Sequence, residues 1–470
     1  MNARSWGVIS MMCLAACGTG GDPKRQAASS ESGAAFTGAP GEVKLVTLDP
    51  GHFHAALVQK TMYAQVDPRV HVFAPPGPDV EGHLARIEGF NSRADDPTAW
   101  VEKVYTGEDF LEKMLAEKPG NVVVISGNNA RKTDYIRRSV EAGLNVLADK
   151  PMAIQPGDFA VLKDAYRIAG ERGVLLDDIM TERYEITSIL QKRLSRSAVL
   201  FGELVSGSPD DPAVSKQSVH HFAKIVSGKP LIRPAWFFDV RQQGEGIVDV
   251  TTHLVDLVHW QCFPGVALDF DTDVEVLSAR RWPTRLTLEQ FAGVTGRETY
   301  PEYLKGDVGS DGVLEVYANG EIVYRVRGTH ARVSVEWRYE APEGAGDTHH
   351  SVMKGSKAHL SVRQGEAEGY TPTLYVEPAA GADATAVEAA LRGAVSTLSQ
   401  EYPGLALASA PSGWRVVIPD EYRVGHEAHF AQVTERYFRH LIEGEVPPLE
   451  VQNLLTKYAI TTKAWEMSRP

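Results

Sequence analysis

Residues 121–151 read NVVVISGNNARKTDYIRRSVEAGLNVLADKP and decide the fold of the first part of the chain. VVVI and NVLAD are short runs rich in branched apolar residues, which is typical of buried strands. Between them, TDYIRRSVEAG has the spacing of a helix that buries one face. A strand, a helix and a second strand in this order predict a βαβ unit, whose two strands run parallel in one sheet.

The same alternation extends in both directions from this stretch. Further strands are predicted at VKLVTL (43–48), VHVFAP (70–75) and VLLDD (174–178), and further helices at DFLEKMLAE (109–117) and DFAVLKDAYRIAGERG (158–173). Apolar strands alternating with amphipathic helices predict an α/β domain over residues 42–180, a Rossmann-type doubly wound parallel sheet. Ligands bind such sheets at the carboxyl ends of the strands.

Residues 181–470 have a different pattern. Long strands with alternating polar and apolar residues, such as GVLEVYANGEIVYRVRG (312–328) and ARVSVEWRYE (331–340), predict an α+β domain with a large, mostly antiparallel sheet. AHLSVRQG (358–365) is a further predicted strand, and a polar loop is expected at the two histidines of the segment DTHHSVMKGSKAHL (347–360). Its His349 and His350 are therefore less favoured as substrate contacts.

The stretch GEGIVDVTTHLVDLVHW (244–260) places Asp249, His253 and Asp256 at spacings of four and three. In a helix these spacings bring side chains onto one face. An imidazole titrates near neutral pH and serves as an acid or base, and Asp249 is expected to orient it or to hold a substrate hydroxyl. The alternative is an ordinary buried helix, since the apolar residues of this stretch bury it whatever its polar residues do.

The segment AGLNVLADKPMA (142–153) resembles the "aGkhVlxEKPxa" segment of the Gfo/Idh/MocA oxidoreductases, and Asp249 and His253 follow it in the family's order. The resemblance implies that Lys150 lies near a nicotinamide and the substrate, and that Asp249 and His253 complete the catalytic group. It also implies NAD or NADP as cofactor and a sugar or glycoside as substrate. The literal Glu117-Lys118-Pro119 lies at a predicted helix end, and we expect it to be solvated.

The first turn departs from the G-x-G-x-x-G dinucleotide fingerprint, because its three positions hold Asp49, Gly51 and His54. The acidic residue usual after the second strand is also missing, and Asp79 is the nearest acid. His52 and His54 alternate, but we expect a phosphate contact or a plain turn here, and we predict no metal site. The candidate cofactor-binding residues are Gly51, His52, Phe53, His54, Asn128, Asn129, Asp149 and Lys150.

Polar and aromatic residues are dense in residues 218–242, immediately before the Asp249–His253 segment, and this density suits a sugar. Aromatic faces contact sugar C–H groups, and polar side chains bind hydroxyls. The candidate substrate residues are Arg183, Tyr184, Lys224, Trp236, Asp239, Gln242 and Asp256. For each of them the alternative is ordinary surface chemistry.

The N-terminus, MNARSWGVISMMCLAAC, reads as a secretory signal whose end resembles the lipobox of bacterial lipoproteins. The resemblance implies a lipoprotein signal peptide over 1–16, acylation of Cys17, and a tether over 17–41 with the composition of a flexible linker. We therefore expect a periplasm-facing protein anchored in the cell envelope, at the outer membrane, that touches the membrane only through its lipid.

Charge and cysteine content exclude some other classes. The net charge of −13 argues against nucleic-acid binding. Cys262 is the one thiol left after the signal and the lipidated residue, so no internal disulfide is available. A homo-oligomer that pairs through the C-terminal sheet is a further expectation.

Three functions follow from these patterns. The first is an NAD(P)-dependent oxidoreductase acting on a sugar or glycoside hydroxyl with a tightly retained cofactor, in which His253 is the acid or base and Lys150 stabilises the reacting oxygen. The second is an NAD-dependent glycoside hydrolase that oxidises a carbon transiently and eliminates the leaving group. The third is a non-redox sugar-binding lipoprotein.

Overall fold

The computed structural model describes residues 35–226 and 229–469. The predicted signal peptide, Cys17 and most of the predicted tether lie outside the described residues. Among the described helices, none combines the length and the apolar character needed to cross a membrane.

The first sheet has six parallel strands in the order β3-β2-β1-β4-β5-β6, which confirms the predicted doubly wound sheet. The strands are β1 Leu45–Leu48, β2 Arg69–Ala74, β3 Val101–Thr106, β4 Val122–Ile125, β5 Asn145–Asp149 and β6 Leu176–Ile179. The four strands β1, β4, β5 and β6 are buried along their whole length, as expected from their apolar runs. The edge strand β3 is mostly exposed, and its polar sequence VEKVYT gave no strand signal.

Helices cover both faces of this sheet. Those of the N-terminal half are α1 His54–Leu57, α2 Pro78–Ser92, α3 Phe110–Glu117, α4 Asn129–Glu141 and α5 Pro156–Arg172. Two helices from the end of the chain, α12 His426–Glu443 and α13 Pro448–Met467, complete the cover. Tyr437 of α12 packs against one face of the sheet and Tyr458 of α13 against the other. The C-terminal helices therefore share the core of the N-terminal sheet, and residues 36–470 form one compact unit.

The second sheet has nine strands in the order β10-β11-β12-β7-β13-β14-β15-β17-β16. All its pairs are antiparallel except β12 with β7, so the predicted mostly antiparallel sheet is confirmed. Its strands are β7 Val214–Ala223, β10 Val274–Leu286, β11 Leu314–Val326, β12 Thr329–Glu340, β13 Thr348–Lys354, β14 Ala358–Gln364, β15 Thr373–Pro378, β16 Ala406–Ala410 and β17 Gly413–Val417. A separate two-stranded ribbon joins β8 Ile225–Val226 to β9 Lys229–Pro230.

The remaining helices lie between or beside the sheets. They are α6 Ile186–Ser195, α7 Val240–Gln243, α8 Thr251–Cys262, α9 Phe270–Asp273, α10 Leu288–Thr295 and α11 Ala384–Leu398. Leu190 of α6 and Val258 of α8 share a buried cluster with Val333 and Leu360 of the large sheet. Because α8 lies directly on the sheet, its residues are fixed by packing on several sides.

The predicted strand at 358–365 is found as β14, but the polar loop expected at His349 and His350 is wrong. His349 and His350 lie on β13, where they pair with Ser218 and Gln217 of β7. The segment is short, and its alternation is obscured by polar residues on both faces, which is why it was misassigned. His349 is half-buried and shares a face of the sheet with Ser218, since directly paired residues point to the same side.

Candidate active site

Lys150 immediately follows β5, at the carboxyl edge of the parallel sheet. Its ammonium donates a hydrogen bond to Asp249 Oδ1 across 2.7 Å, and both side chains are about a tenth exposed or less. Burial alone lowers the pKa of Lys150, but Asp249 and Asp149 reverse this and raise it above its ordinary value. Lys150 is therefore held as a cation beside a carboxylate.

Asp249 does not occupy the predicted helix. The chain turns through residues 246–250, and α8 begins only at Thr251. Gly246 packs so closely that an added Cβ would lie 1.8 Å from the Ala318 carbonyl oxygen, which pins the chain before the helix. Asp249 and His253 both lie near Lys150, although only His253 is in the helix, whereas Asp256 pairs with Arg183.

Asp249 also does not orient the imidazole of His253. Its two oxygens accept hydrogen bonds from Lys150 and, at 3.0 Å, from Gln243 Nε2, and neither bonds His253. His253 Nδ1 is buried, and no side chain or backbone group of the described residues bonds it. Burial, with Lys150 nearby, lowers the pKa of His253 to about 3. The imidazole is therefore neutral.

Glu182 and His426 join this group, and the sequence analysis missed both. Glu182 lies on the turn Thr181–Tyr184 after β6, again at the carboxyl edge of the sheet, and His426 Nδ1 lies 3.6 Å from its carboxylate. Although burial opposes this, His426, His253 and His349 hold the pKa of Glu182 below its usual value. The position of Glu182 shortly after a predicted strand is a sequence signal for a site residue, but the prediction named its neighbours Arg183 and Tyr184.

Asp149 lies next to Lys150 and faces the loop before α1. Its Oδ2 is 2.9 Å from His54 Nδ1 and 3.7 Å from His52 Nδ1, and it accepts a hydrogen bond from Ser126 Oγ at 3.0 Å. Phe53 lies between the two imidazoles in sequence and packs against α12 and its neighbours. Asp149 therefore organises the loop in which His52 and His54 replace fingerprint residues.

The loop before α1 is closed in a way that the sequence did not indicate. An added Cβ at Gly51 would lie 3.0 Å from both Asp79 Oδ2 and Trp236 Cζ2, and Trp236 Nε1 donates a hydrogen bond to Asp79 Oδ2 at 2.8 Å. Trp236 is only 9% exposed, so the predicted sugar platform is instead packed against the first domain. Trp236 and Asp79 thus form a closed contact over Gly51.

Gly127 and Asp49 show how tightly the two neighbouring loops meet. A Cβ at Gly127 would lie 2.1 Å from the Asp49 carbonyl oxygen, so this position requires glycine. Asp49 has a positive φ of 46°, and its carboxylate accepts a hydrogen bond from Tyr135 at 2.9 Å. Burial raises the pKa of Asp49.

Two predicted cofactor residues, Asn128 and Asn129, join the two predicted domains. Asn128 caps α4 through a 3.0 Å hydrogen bond from the Ala130 N–H, and its amide donates to Gln242 Oε1 at 2.7 Å. Asn129 donates to the Gln243 carbonyl oxygen at 2.6 Å. Asp239 caps α7 and accepts from Gln242. The predicted substrate residues Asp239 and Gln242 thus hold α7 against α4.

Arg183 and Asp256, predicted as substrate residues, are committed to each other. Arg183 binds Asp256 through two hydrogen bonds of 2.6 and 2.7 Å, and a third nitrogen donates to Glu450 at 2.6 Å. Lys457 lies 3.5 Å from the same aspartate and 2.5 Å from Asp178. This buried network ties α8 and α13 to the end of β6.

The two remaining substrate candidates lie apart from this network. Tyr184 is half-buried against α12, and burial raises its pKa. Lys224 forms an ion pair with Asp347, whose other contacts are His220 Nδ1 at 3.1 Å and His221 Nδ1 at 3.0 Å. Lys224 and His221 line a cavity of about 590 Å³ beside the large sheet.

The literal Glu117-Lys118-Pro119 motif lies at the end of α3, before β4 begins. Lys118 Nζ donates to the Ala142 carbonyl oxygen at 2.7 Å on the exposed surface. It therefore lies at the amino ends of the strands, opposite the edge that carries Lys150.

Comparison with known proteins identifies the family. A family model described as "Putative oxidoreductase C terminal domain" matches residues 190–469. A crystal structure described as "a putative oxidoreductase" from Parabacteroides merdae is 56% identical over 92% of this chain and 99% of that chain, with a TM-score of 0.91.

More distant relatives agree in fold. The uncharacterized oxidoreductase YhhX of Escherichia coli is 24% identical over 166 residues, which are 32% of this chain and 47% of that protein, so the match spans about half of the curated relative. A levoglucosan dehydrogenase solved with NADH and L-sorbose is 13% identical over 90% of this chain and 96% of its own, with a TM-score of 0.55. The chain belongs to the oxidoreductase family that the C-terminal model defines, and it has the Gfo/Idh/MocA-type architecture.

Proposed function

We propose that this protein is an NAD(P)-dependent oxidoreductase that acts on a hydroxyl of a sugar or glycoside. The observation that carries the proposal is the 2.7 Å pair of Lys150 and Asp249, assembled with neutral His253 at the carboxyl edge of a doubly wound sheet. This edge is where such sheets bind dinucleotides. The solved levoglucosan dehydrogenase supports the substrate class, since its fold is similar.

The side chains divide the work of alcohol oxidation among them. Neutral His253 accepts the hydroxyl proton as the hydride leaves the carbon. The Lys150 ammonium donates a hydrogen bond to the same oxygen and stabilises its developing charge. Asp249 keeps Lys150 charged and in place, while Gln243 fixes Asp249.

A nicotinamide dinucleotide fits one half of its expected site better than the other. Lys150 and Asp149 suit the nicotinamide end, where the dinucleotide would supply or accept the hydride. At the phosphate end, Asp49 replaces a glycine and the contact between Trp236 and Asp79 covers Gly51. Binding of the phosphates requires this contact to open.

The test is to incubate the purified protein with NAD or NADP and a panel of sugars and glycosides, and to follow the absorbance of the reduced nicotinamide. Reduction that depends on the sugar supports the proposal. Release of the aglycone without net reduction points to the hydrolase alternative. Sugar binding with no dinucleotide-dependent chemistry points to the non-redox alternative, which the closed contact over Gly51 favours.

We further propose that the protein is lipid-anchored in the cell envelope, periplasm-facing at the outer membrane, with a tightly retained cofactor. The support is the Leu14-Ala15-Ala16-Cys17 pattern and the linker composition that follows it. Labelling with radioactive palmitate in a bacterial host should mark the wild type and not Cys17→Ala. An unlabelled wild type would overturn the anchor.

Pairing through the large sheet is the proposed oligomer contact. The outer face of the sheet presents Arg280, Trp282, Glu321 and Arg332 around one shallow cavity. Light scattering of the wild type and of Trp282→Glu checks it, since the charge should dissociate a dimer built on this face. A wild type that is monomeric at assay concentration would contradict the pairing.

A further inference from the structure

The loop that replaces the glycine fingerprint carries two imidazoles, and the fold brings a carboxylate to them. Asp149 follows His54 by 95 residues in sequence, yet its Oδ2 lies 2.9 Å from His54 Nδ1 and 3.7 Å from His52 Nδ1. One ligand atom from each of the three side chains lies within 4.8 Å of the other two. Across residues 35–226 and 229–469, no other three His, Cys, Asp or Glu side chains meet this condition.

We propose that His52, His54 and Asp149 form a binding site for one divalent transition-metal ion of the zinc class. Two imidazole nitrogens and one carboxylate oxygen are a donor set that Zn²⁺, Co²⁺ and Fe²⁺ accept, whereas Mg²⁺ and Ca²⁺ favour sites made only of oxygen. Three protein ligands leave at least one position for water, as in open zinc sites. The site does not depend on the proposed nicotinamide chemistry.

The distances suit such an ion. With metal–ligand bonds of about 2.1 Å, two ligand atoms on a tetrahedral ion lie about 3.4 Å apart. The distances from Asp149 Oδ2 to His54 Nδ1, 2.9 Å, and to His52 Nδ1, 3.7 Å, lie on either side of this value. The His54 N–H donates to His52 Nδ1 across 3.3 Å, a long hydrogen bond that a metal bond would replace. His52 is 18% exposed, so a small rotation of this ring and the entry of water are both possible.

Histidine and aspartate side chains supply the forms that metal binding needs. Neutral imidazole and ionised carboxylate are the ligating forms.

Further contacts hold the carboxylate and balance charge around it. Ser126 Oγ donates to Asp149 Oδ2 at 3.0 Å, and Lys132 Nζ donates to the Asp149 carbonyl oxygen at 2.9 Å. Outer contacts of this kind orient metal ligands. The two nearby cations, Lys132 and Lys150, oppose a metal ion, but Asp249 pairs with Lys150 and reduces this repulsion.

The experiment measures metal binding directly. The full-length protein is stripped with a chelator, dialysed against Zn²⁺ or Co²⁺ and analysed for metal per chain, and the visible bands of Co²⁺ report its coordination. We expect one ion per chain in the wild type and more than a tenfold loss of affinity in His54→Ala, while Ser126→Ala should lose roughly tenfold to a hundredfold. His71→Ala, a histidine on β2 of the same sheet, is the matched control and should bind as the wild type does.

His52→Gln provides a second test if His54→Ala fails to fold, because His52 is partly exposed; circular dichroism checks the fold of each variant. A wild type that retains no ion overturns the proposal. Equal binding by the wild type and by folded His52→Gln and Asp149→Asn also overturns it. Because the readout is metal content, its failure is distinct from a failure of sugar oxidation.

Discussion

Asp249 binds Lys150 rather than His253, and this changes what each residue is expected to do. Lys150 and His253 come from different elements, yet the Lys150 charge lies close enough to His253 at one edge of the sheet to lower its pKa. If both contact one substrate oxygen, their effects on the rate cannot be independent. Asp249 is then a positioning residue for Lys150.

Replacing Lys150 and His253 tests this arrangement. His253→Ala should lower turnover by roughly a hundred- to ten-thousandfold. Lys150→Ala should lower it by a similar order through lost charge stabilisation. Because the two act on one oxygen, the double variant should lose much less than the product of the two single losses. Steady-state kinetics with a sugar found active in the panel measures these effects.

Lys118→Ala is the control for this series, since Lys118 lies at the opposite edge of the sheet and should be dispensable. If Lys118→Ala lost activity and Lys150→Ala kept it, the active site would lie at the amino edge of the sheet, which would contradict this arrangement. Because the pKa of His253 is held to about 3, kcat/KM should show no histidine titration between about pH 5 and 7.

The loops after β1 and β4 meet at Gly127, where nothing larger than hydrogen fits. Gly127→Ala must displace the Asp49 backbone and should destabilise the protein by about 1–3 kcal/mol, the usual cost of overpacking. Gly157 of α5 has open space around its Cβ position and is the matched control. Gly157→Ala should be neutral or stabilise by up to about 1 kcal/mol. Urea unfolding measures both, and equal effects would contradict the close approach.

The turn before α7 contributes Trp236, which closes the phosphate end of the proposed cofactor site. Trp236→Phe removes the hydrogen bond to Asp79 and keeps most of the packing. One such bond is worth about 0.5–1.5 kcal/mol, so dinucleotide affinity should rise by roughly two- to tenfold. Trp282→Phe on the large sheet is the control. Calorimetry that finds weaker binding in Trp236→Phe would mean that the indole contacts the cofactor instead of covering its site.

The sequence predicted the elements whose signal is local, and missed those set by distant contacts. Buried strands such as β4 and β5 are recognisable because their apolar runs require burial on both faces. The edge strand β3 lacks that requirement, and β13 carries polar residues that obscure its alternation.

The residues of the candidate site also divide into those with a local sequence signal and those set by distant contacts. The motif around Lys150 was recognisable because neighbouring residues resemble a family segment. The partners of Asp256 and Trp236 were not, because Arg183, Lys457 and Asp79 come from elements that only the folded chain brings together. His426 was missed for the same reason, since it begins a helix near the end of the chain.

The buried ion network around Asp256 connects the two predicted domains through α13. Asp256→Asn removes the carboxylate that Arg183 and Lys457 share, while Glu450 and Asp178 remain beside them, and breaking a buried pair typically costs about 3–5 kcal/mol. Asp164→Asn, in the exposed pair with Arg167, should cost less than about 1 kcal/mol. Chemical unfolding compares them, and a small effect of Asp256→Asn would show that the network contributes little to stability.

The pH dependence of stability follows from the same residue. Burial alone would raise the pKa of Asp256, but Arg183 and Lys457 hold it below its ordinary value. Because the folded-state pKa is lowered, the unfolded chain takes up the proton at a higher pH than the folded protein does. The stabilisation from Asp256 is therefore complete well above the unfolded-state pKa of about 3.9. It is lost as the pH falls through that value and below it. Stability should therefore fall more steeply below about pH 4 in the wild type than in Asp256→Asn.

Dinucleotide bound to the intact protein decides whether this fold carries out redox chemistry. The purified protein should be denatured and the supernatant analysed for NAD and NADP, and the native protein should be titrated with each. We expect either stoichiometric release of one dinucleotide or saturable binding to the native protein that Lys150→Ala weakens and Lys118→Ala does not. A protein that releases no dinucleotide and binds neither would contradict the proposed oxidoreductase mechanism.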